Sequence, residues 1–361
     1  MSTPPARRRS ALGLERLEVR DVPSFSPFQN PGGLSIAVGD VFPEVAIGAV
    51  ENEIVVGSGK GEQPYVRVYS LAGVLEAEFL AYEASFTGGV NVALADVVTG
   101  DTFQEIITGP GFGGGPVVKV FNPNNRNILR SYLAFEPSFR GGVNVSGGQL
   151  NLATASEEIV AAAGFGGGPV VRVFNENGSA FSSFFAYESS FRNGVNVAVG
   201  DILSTAGGAN AGDEIATGPG ESGAPLLKVF GGTGDLRRSY FAFDQADRNG
   251  LVVGVGNTEN ALSDEIFAAA QFTPLTVAPR IRSFNGNSSG QIESDFSPYP
   301  AGFTRYINFA AGEVDPFFTI GTPFVNNNAG DLSVVPGEGP TTQAPRIFYG
   351  LRGSAAGNNG P

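Results

Sequence analysis

A five-residue aromatic segment recurs six times along these 361 residues, at an interval near 50. The copies are Ser24 to Phe28, Glu78 to Tyr82, Ser131 to Phe135, Ser183 to Tyr187, Ser239 to Phe243 and Asp295 to Tyr299. Their second positions are always Phe or Tyr and fall at residues 25, 79, 132, 184, 240 and 296. Self-similarity at a fixed interval of this size means an array of one supersecondary unit. The fold is therefore decided by what that unit is.

Three further elements repeat with the aromatic one. The first reads Asn91 to Asp96, the second Glu105 to Gly109, and the third Pro116 to Phe121, whose proline returns at 64, 169, 225, 279 and 345. Each is four to six residues long, rich in Val, Ile, Phe and Tyr, and bounded by Gly, Pro, Asn or Asp. Such runs make short antiparallel strands joined by turns. No window keeps a helical apolar period without an interrupting glycine.

Four strands per unit, repeated around six times, predict an all-β, six-bladed β-propeller of four-stranded antiparallel blades. The first three elements occur six times from residue 35 onward, but an aromatic strand follows only five of them. The remaining copy, Ser24 to Phe28, precedes the first unit. The expected topology is a ring closed by this N-terminal strand joining the last blade, which protects an edge that would otherwise be open. An open solenoid is the alternative, and it gives no reason for complementary termini. The expected organisation is a disordered basic N-terminal or targeting segment over residues 1–21, the propeller over 22–350 and a flexible Gly-rich tail over 351–361.

Composition narrows the chemistry. The chain has no cysteine and no histidine, so thiolate nucleophiles, disulfides, Cys/His zinc sites and histidine triads are all excluded. The formal net charge is −13 with only three lysines, which argues against nucleic acid or an anionic membrane as partner. No apolar run is long enough to span a bilayer, and residues 1–21 do not read as an ordinary signal peptide.

The units resemble a known group. Gly-Gly-Val-Asn-Val-Ala-x-x-Asp, then Glu-Ile-x-Thr-Gly-Pro-Gly-Phe-Gly-Gly-Gly-Pro-Val-Val-Lys-Val-Phe, then Ser-Phe-Phe-Ala-Tyr, is similar to the FG-GAP/VCBS repeat. That repeat builds integrin-α-type propellers and many bacterial extracellular proteins. Residues 14–24 are also similar to a Leu-Glu-x-Leu-Glu-x-Arg motif that opens bacterial surface proteins carrying such repeats. The resemblance implies an extracellular or cell-surface location and calcium in the turn after the first strand. The chain departs from that pattern, and its best surviving loop, from Asp96 to Asp101, has partly lost its alternate oxygen donors; Asp96 and Asp101 are the candidate metal ligands. Calcium wants six to eight oxygens, usually with several carboxylates, and the acids expected between them are missing. The preferred reading is no cofactor, with the aspartate accepting backbone hydrogen bonds in a turn.

Other constellations remain. Gly109 to Gly114 matches a dinucleotide-loop string, but another strand follows it instead of a helix, so it reads as a wide turn. The polar residues ending each first strand are Asp40, Asp96, Gln149, Asp201, Asn257 and Glu313, a candidate ligand-binding ring at the mouth of a central channel, or else simple turn caps. Glu53, Glu105, Glu158, Glu214, Glu265 and Asp331 open the second strands, while Arg67, Lys119, Arg172, Lys228 and Arg282 sit in the third. One acid and one base per unit predicts cross-strand or interblade ion pairs. The aromatic segments are expected to pack in the core or between blades, with carbohydrate stacking as the alternative.

The sequence thus points to a monomeric, non-enzymatic adhesion or protein-interaction module with a protein or glycan ligand at one propeller face. A polysaccharide-binding or lyase-like propeller using the channel-mouth carboxylates is the rival.

Overall fold

The computed structural model describes residues 34–42, 52–70, 73–100, 103–203, 212–257, 263–274, 276–287, 290–298, 301, 307–312, 331–336 and 346–348. Every regular element among them is a strand. Blade 1 contains β1 (Ser35–Gly39), β2 (Glu53–Gly57), β3 (Tyr65–Tyr69) and β4 (Leu75–Leu80). Blade 2 contains β5 (Val90–Ala95), β6 (Glu105–Pro110), β7 (Val117–Phe121) and β8 (Ile128–Leu133), and blade 3 β9 (Val143–Gly148), β10 (Glu158–Ala163), β11 (Val170–Phe174) and β12 (Ala180–Phe185). Blade 4 is β13 (Val195–Gly200), β14 (Glu214–Pro219), β15 (Leu226–Phe230) and β16 (Leu236–Phe241); blade 5 is β17 (Leu251–Gly256), β18 (Glu265–Ala270), β19 (Ile281–Asn285) and β20 (Ile292–Phe296). A last sheet has three strands, β21 (Ile307–Gly312), β22 (Asp331–Pro336) and β23 (Arg346–Phe348).

The expected six four-stranded blades are therefore corrected to five, with a three-stranded sheet beside them. Among the described residues no fourth strand pairs with β23. The copy expected to supply it, Ser24 to Phe28, lies outside the described residues, as do residues 1–21 and 351–361. The inner strand β21 packs against both β17 and β1.

Burial explains the strand sequences. The second strand of a blade has both faces covered by neighbouring blades, so β6, β10 and β14 are buried at every position. A strand covered on both faces reads as a continuous apolar run instead of an alternation. The third strand alternates until its end, where the last two residues are both buried. A β-bulge at that point makes this possible, with register shifts at Val68/Tyr69, Val120/Phe121, Val173/Phe174, Val229/Phe230 and Ser283/Phe284. The extra residue stands on the facing fourth strand, as Leu129 does between Ile128 and Arg130, and the local bend lets the end of the third strand turn inward.

The aromatic ending the third strand meets the aromatic segment of the preceding blade. Phe79 stacks at a tilt on Phe121, Tyr132 on Phe174 and Phe184 on Phe230, each with centroids 4.8 Å apart, and Tyr240 on Phe284 at 5.2 Å. The core accordingly lies between blades: one cluster joins Ile107, Val118 and Val120 of blade 2 to Val143, Ile159 and Ala161 of blade 3. The aromatic segments are interblade packing, as one of the two expected readings had it.

Candidate functional site

The six inner strands β1, β5, β9, β13, β17 and β21 surround a cavity of about 310 Å³. Its described lining contains no charged side chain. A belt of side-chain amides joins the inner strands near the end where they begin. Asn91 Nδ2 donates to Val143 O at 2.8 Å and Asn144 Oδ1 at 3.1 Å, and Asn144 Nδ2 to Val195 O at 2.7 Å and Asn196 Oδ1 at 3.2 Å. Asn196 Nδ2 continues to Leu251 O at 2.8 Å, and Asn308 Nδ2 reaches Leu34 O at 2.6 Å. The recurrent Val-Asn-Val of the sequence is thus an interblade belt, a role no linear reading of the repeats assigned to it.

At the opposite, exit face the inner strands β5, β9 and β13 each end in a reciprocal clasp. Asp264 N donates to Asp201 O at 2.7 Å, and Asp201 N donates to Asp264 Oδ2 at 3.0 Å. The same clasp links Asp213 with Gln149 and Glu157 with Asp96, with amide-to-carboxylate distances of 2.8 and 2.9 Å. Gln104 N donates to Asp40 O in the first of the series. The partner in each case is the residue just before the second-strand glutamate. Where the clasp uses Asp213 or Asp264, the preceding strand ends in Gly148 or Gly200. A Cβ there would lie 2.4 or 2.5 Å from the carboxylate oxygen. Gly200→Ala is expected to break the clasp and lower the melting temperature by several degrees in calorimetry, with Gly148→Ala acting alike.

The structure places Asp40, Asp96, Gln149, Asp201 and Asn257 at equivalent inner-strand ends on this exit face, and none belongs to the cavity lining. Gln149 Nε2 bridges its own loop, donating to Asn151 O at 2.8 Å and Thr154 O at 3.1 Å. Glu313 and Asp101 lie outside the described residues.

The expected ion pairs between the glutamates and the third-strand bases are corrected. Glu105 Oε2 accepts the amides of Val97 and Val98, Glu158 Oε2 those of Leu150 and Asn151, and Glu53 and Glu214 those of Val41 and Leu203. The glutamates cap the turn after the inner strand. The reason lies in register: Lys119 is paired with Thr108, three strand residues, or about 10 Å, from Glu105. The ion pairs that do occur among the described residues join Arg67 with Glu78, Arg237 with Asp235, and Arg280 and Arg282 with Asp295.

Burial raises the pKa of several of the clasp and turn-cap acids. It is the largest cause for Asp264, pushed up to about 7 with Asp213, Asp201 and Glu265 adding repulsion, and for Glu53, also about 7. Glu157, Glu158, Asp213, Glu214 and Asp201 are raised for the same first reason. Among the described residues no three acids converge as a metal-holding group.

The entry face carries the turns between second and third strands. These turns are stitched to adjacent loops by backbone bonds: Gly111 N to Gly89 O, Gly113 N to Arg140 O, and Gly166 N to Arg192 O. Gly113 and Gly166 hold φ of +94° and +85°, which a side chain resists. At the tips sit Phe112, 57 % exposed, and Phe165, 56 % exposed, edge to face with centroids 6.1 Å apart. The same tip position carries Lys60 in blade 1 and Glu221 in blade 4, both exposed.

Bladed sheets around an uncharged cavity, clasped at one end and presenting fixed turns at the other, define a β-propeller. No protein-family model and no curated protein sequence matches the chain. Its likeness to the FG-GAP/VCBS repeat thus rests on the repeat motifs alone. Among solved structures it is similar to the V. cholerae biofilm matrix protein Bap1, at 16% identity and a TM-score of 0.41, over 79% of this chain and 43% of that one. It is also similar to the WD40 β-propeller domain of Doa1, at 11% identity and a TM-score of 0.44, over 90% of this chain and 95% of that one. The chain therefore spans less than half the length of Bap1.

Proposed function

We propose that this chain is a non-enzymatic propeller of the bacterial cell surface or extracellular space that holds a protein partner on its entry face. The observation that carries this reading is the Phe112–Phe165 pair. Repeated blades impose the same backbone on four turn tips, yet only two adjacent ones present exposed aromatic rings. The fold gains nothing from them, because neither ring is buried. Rigid, solvent-facing aromatic side chains at fixed spacing are the usual anchors of a protein interface. Lys60 and Glu221 flank the pair with opposite charges, giving the surface a direction along the ring. The location rests on the repeat resemblance.

The rival carbohydrate-active reading is weaker on chemical grounds. Carboxylates are absent from the described cavity lining, and those on the exit face hold backbone amides. Groups so engaged are poorly placed to move a proton on a substrate.

Phe112→Ser with Phe165→Ser is expected to leave the melting temperature within about 1 °C of the parent, since exposed positions contribute little. The same variant is expected to lose at least tenfold in binding to the surface of the native host, measured with labelled protein. Equal binding by parent and variant would refute the assignment, and turnover of an acidic polysaccharide by both would favour the rival.

A further inference from the structure

Blades 2 and 3 share two departures from the repeat that the fold does not require. The first is the exposed tip ring, Phe112 or Phe165, already described. The second is the residue just before the third-strand proline, which is glycine at 115 and 168 but Gln63, Ala224 and Ala278 in the other blades. Neither glycine is held at positive φ. A Cβ on either would meet only ordinary contacts, with the nearest atoms 3.7 to 3.9 Å away. Beside each glycine stands an exposed arginine, Arg140 or Arg192, from the loop that enters the next blade.

The two arginines are held alike. Arg140 Nη1 donates to Pro137 O at 2.6 Å and to Phe139 O at 2.7 Å, and Arg192 Nη1 donates to Ser189 O and Phe191 O. Their backbones are tied to the tips, since Arg140 O accepts from Gly113 N and Arg192 O from Gly166 N. A Cβ on Gly141 would collide with Phe165 O, so the Arg140 loop lies against both phenylalanine turns. Each Nη1 lies 3.9 Å from the Cβ site of Gly115 or Gly168, and the exposed Phe185 ring borders the second site. Among the described residues no carboxylate pairs with either arginine. Capping these carbonyls does not call for a cation. In blade 1, where Thr87 replaces the arginine, Gln63 Nε2 donates to the equivalent carbonyl, Ala84 O, at 3.4 Å. Nη1 therefore fixes the side chain, while the Nε–Nη2 edge keeps two parallel N–H groups, the fork that matches a carboxylate.

We propose that Arg140 and Arg192 are twin carboxylate subsites, and that the partner docks an acidic peptide segment here, apolar side chains on Phe112 and Phe165 and a carboxylate in each fork. These subsites presuppose the entry-face partner proposed above and add its chemistry. The neighbouring charges favour a peptide. Exposed Glu136 and Glu188 stand in the same loops as the arginines, and Glu221 holds the next tip. A polymer charged at every unit, such as a polyuronate, would set some of its charges against these acids, whereas a peptide can place isolated carboxylates between apolar side chains. The bare glycines let a backbone approach the floor beside each fork. Arg248 is pinned in the same way to Gln245 O and Asp247 O, but the tip beside it is Glu221. That acid supplies a negative charge of its own, so blade 4 offers no third subsite.

The full-length protein tests this against a displayed library of random peptides, with polygalacturonate as the glycan probe. The parent is expected to select peptides rich in Asp or Glu beside apolar residues. Selection without acidic enrichment, or of no peptide at all, overturns the proposal. Arg140→Gln with Arg192→Gln is expected to bind the selected peptides about tenfold more weakly or worse. Its melting temperature should stay within about 2 °C of the parent, because glutamine caps the equivalent carbonyl in blade 1. Gly115→Asp with Gly168→Asp keeps both arginines and offers each fork an internal carboxylate, with the same loss expected. Parent-like binding by either variant overturns the subsites. Polygalacturonate binding that both variants abolish overturns the peptide in favour of an acidic glycan. Phe112→Ser with Phe165→Ser separates the two readings. Parent-like peptide binding by that variant refutes the entry-face assignment itself, whereas loss there beside parent-like binding by the arginine variant refutes the forks alone.

Discussion

Tyr187→Ala is expected to destabilise the propeller by about 4 kcal/mol, whereas Tyr187→Phe is expected to remove only about 1 kcal/mol. The ring of Tyr187 leaves blade 3 and sits in blade 4 beneath Lys228, edge-on to Phe191 at 6.2 Å. Burial pushes its hydroxyl pKa well up, so the group stays protonated and can donate to the blade 4 carbonyls of Thr217 and Leu226. The phenylalanine variant keeps the ring and loses the hydroxyl alone. The alanine variant empties the socket, leaving Lys228 without the ring beneath it, and the neighbours can collapse only in part. Chemical denaturation of the two variants beside the parent gives the comparison. Equal losses would mean that the hydroxyl, not ring packing, joins these blades. Negligible loss from Tyr187→Ala would mean that the aromatic segments do not hold the blades together.

That prediction turns on a segment visible in the sequence from the start, and much of the fold was visible with it. Strand identity, strand order and the interblade place of the aromatic segments all follow from apolar runs and their spacing. What stayed hidden depends on which residues become neighbours across blades. Glu105 and Lys119 look like partners when counted along the unit, but the register sets them three residues apart, and Glu105 finds backbone amides instead. The roles of Asp213 and Asp264 stayed hidden because their partners, Gln149 and Asp201, belong to the neighbouring blade. The bulge at Val120/Phe121 was hidden for a related reason, since two adjacent buried residues read as simple hydrophobicity until alternation is seen to fail there. Phe112 and Phe165 were read only as members of a glycine turn. Their signal was a broken symmetry at one tip position, where Lys60 and Glu221 stand in the flanking copies.

Buried clasp and turn-cap carboxylates make an unusual dependence on pH the second large expected effect. Carboxylates in native proteins more often have lowered pKa values, and such proteins lose stability in acid. Here Asp264 and Glu53 are raised to about 7, mainly because burial disfavours their ionised forms. An acid whose pKa is higher folded than unfolded binds more protons in the native state between those two values. Stability is then greatest below the unfolded pKa, near 4, and declines as pH rises through about 7. For Asp264 the difference is on the order of 3 kcal/mol after allowance for its partial contact with solvent. Asp235 works in the opposite sense, held low by Thr233 and Arg237, but it is exposed and adds little. The melting temperature is therefore expected to be several degrees higher at pH 5 than at pH 8. In Asp264→Asn the amide oxygen can still accept from Asp201 N while carrying no charge, so this variant should gain most at pH 8 and show a flatter profile. Calorimetry from pH 4 to 9 on both proteins distinguishes the cases. A parent melting temperature that climbs from pH 5 to pH 8 would show that these carboxylates are ionised without penalty. The clasps would then be held together chiefly by charge on the carboxylate and not by its hydrogen bond to the neighbouring blade.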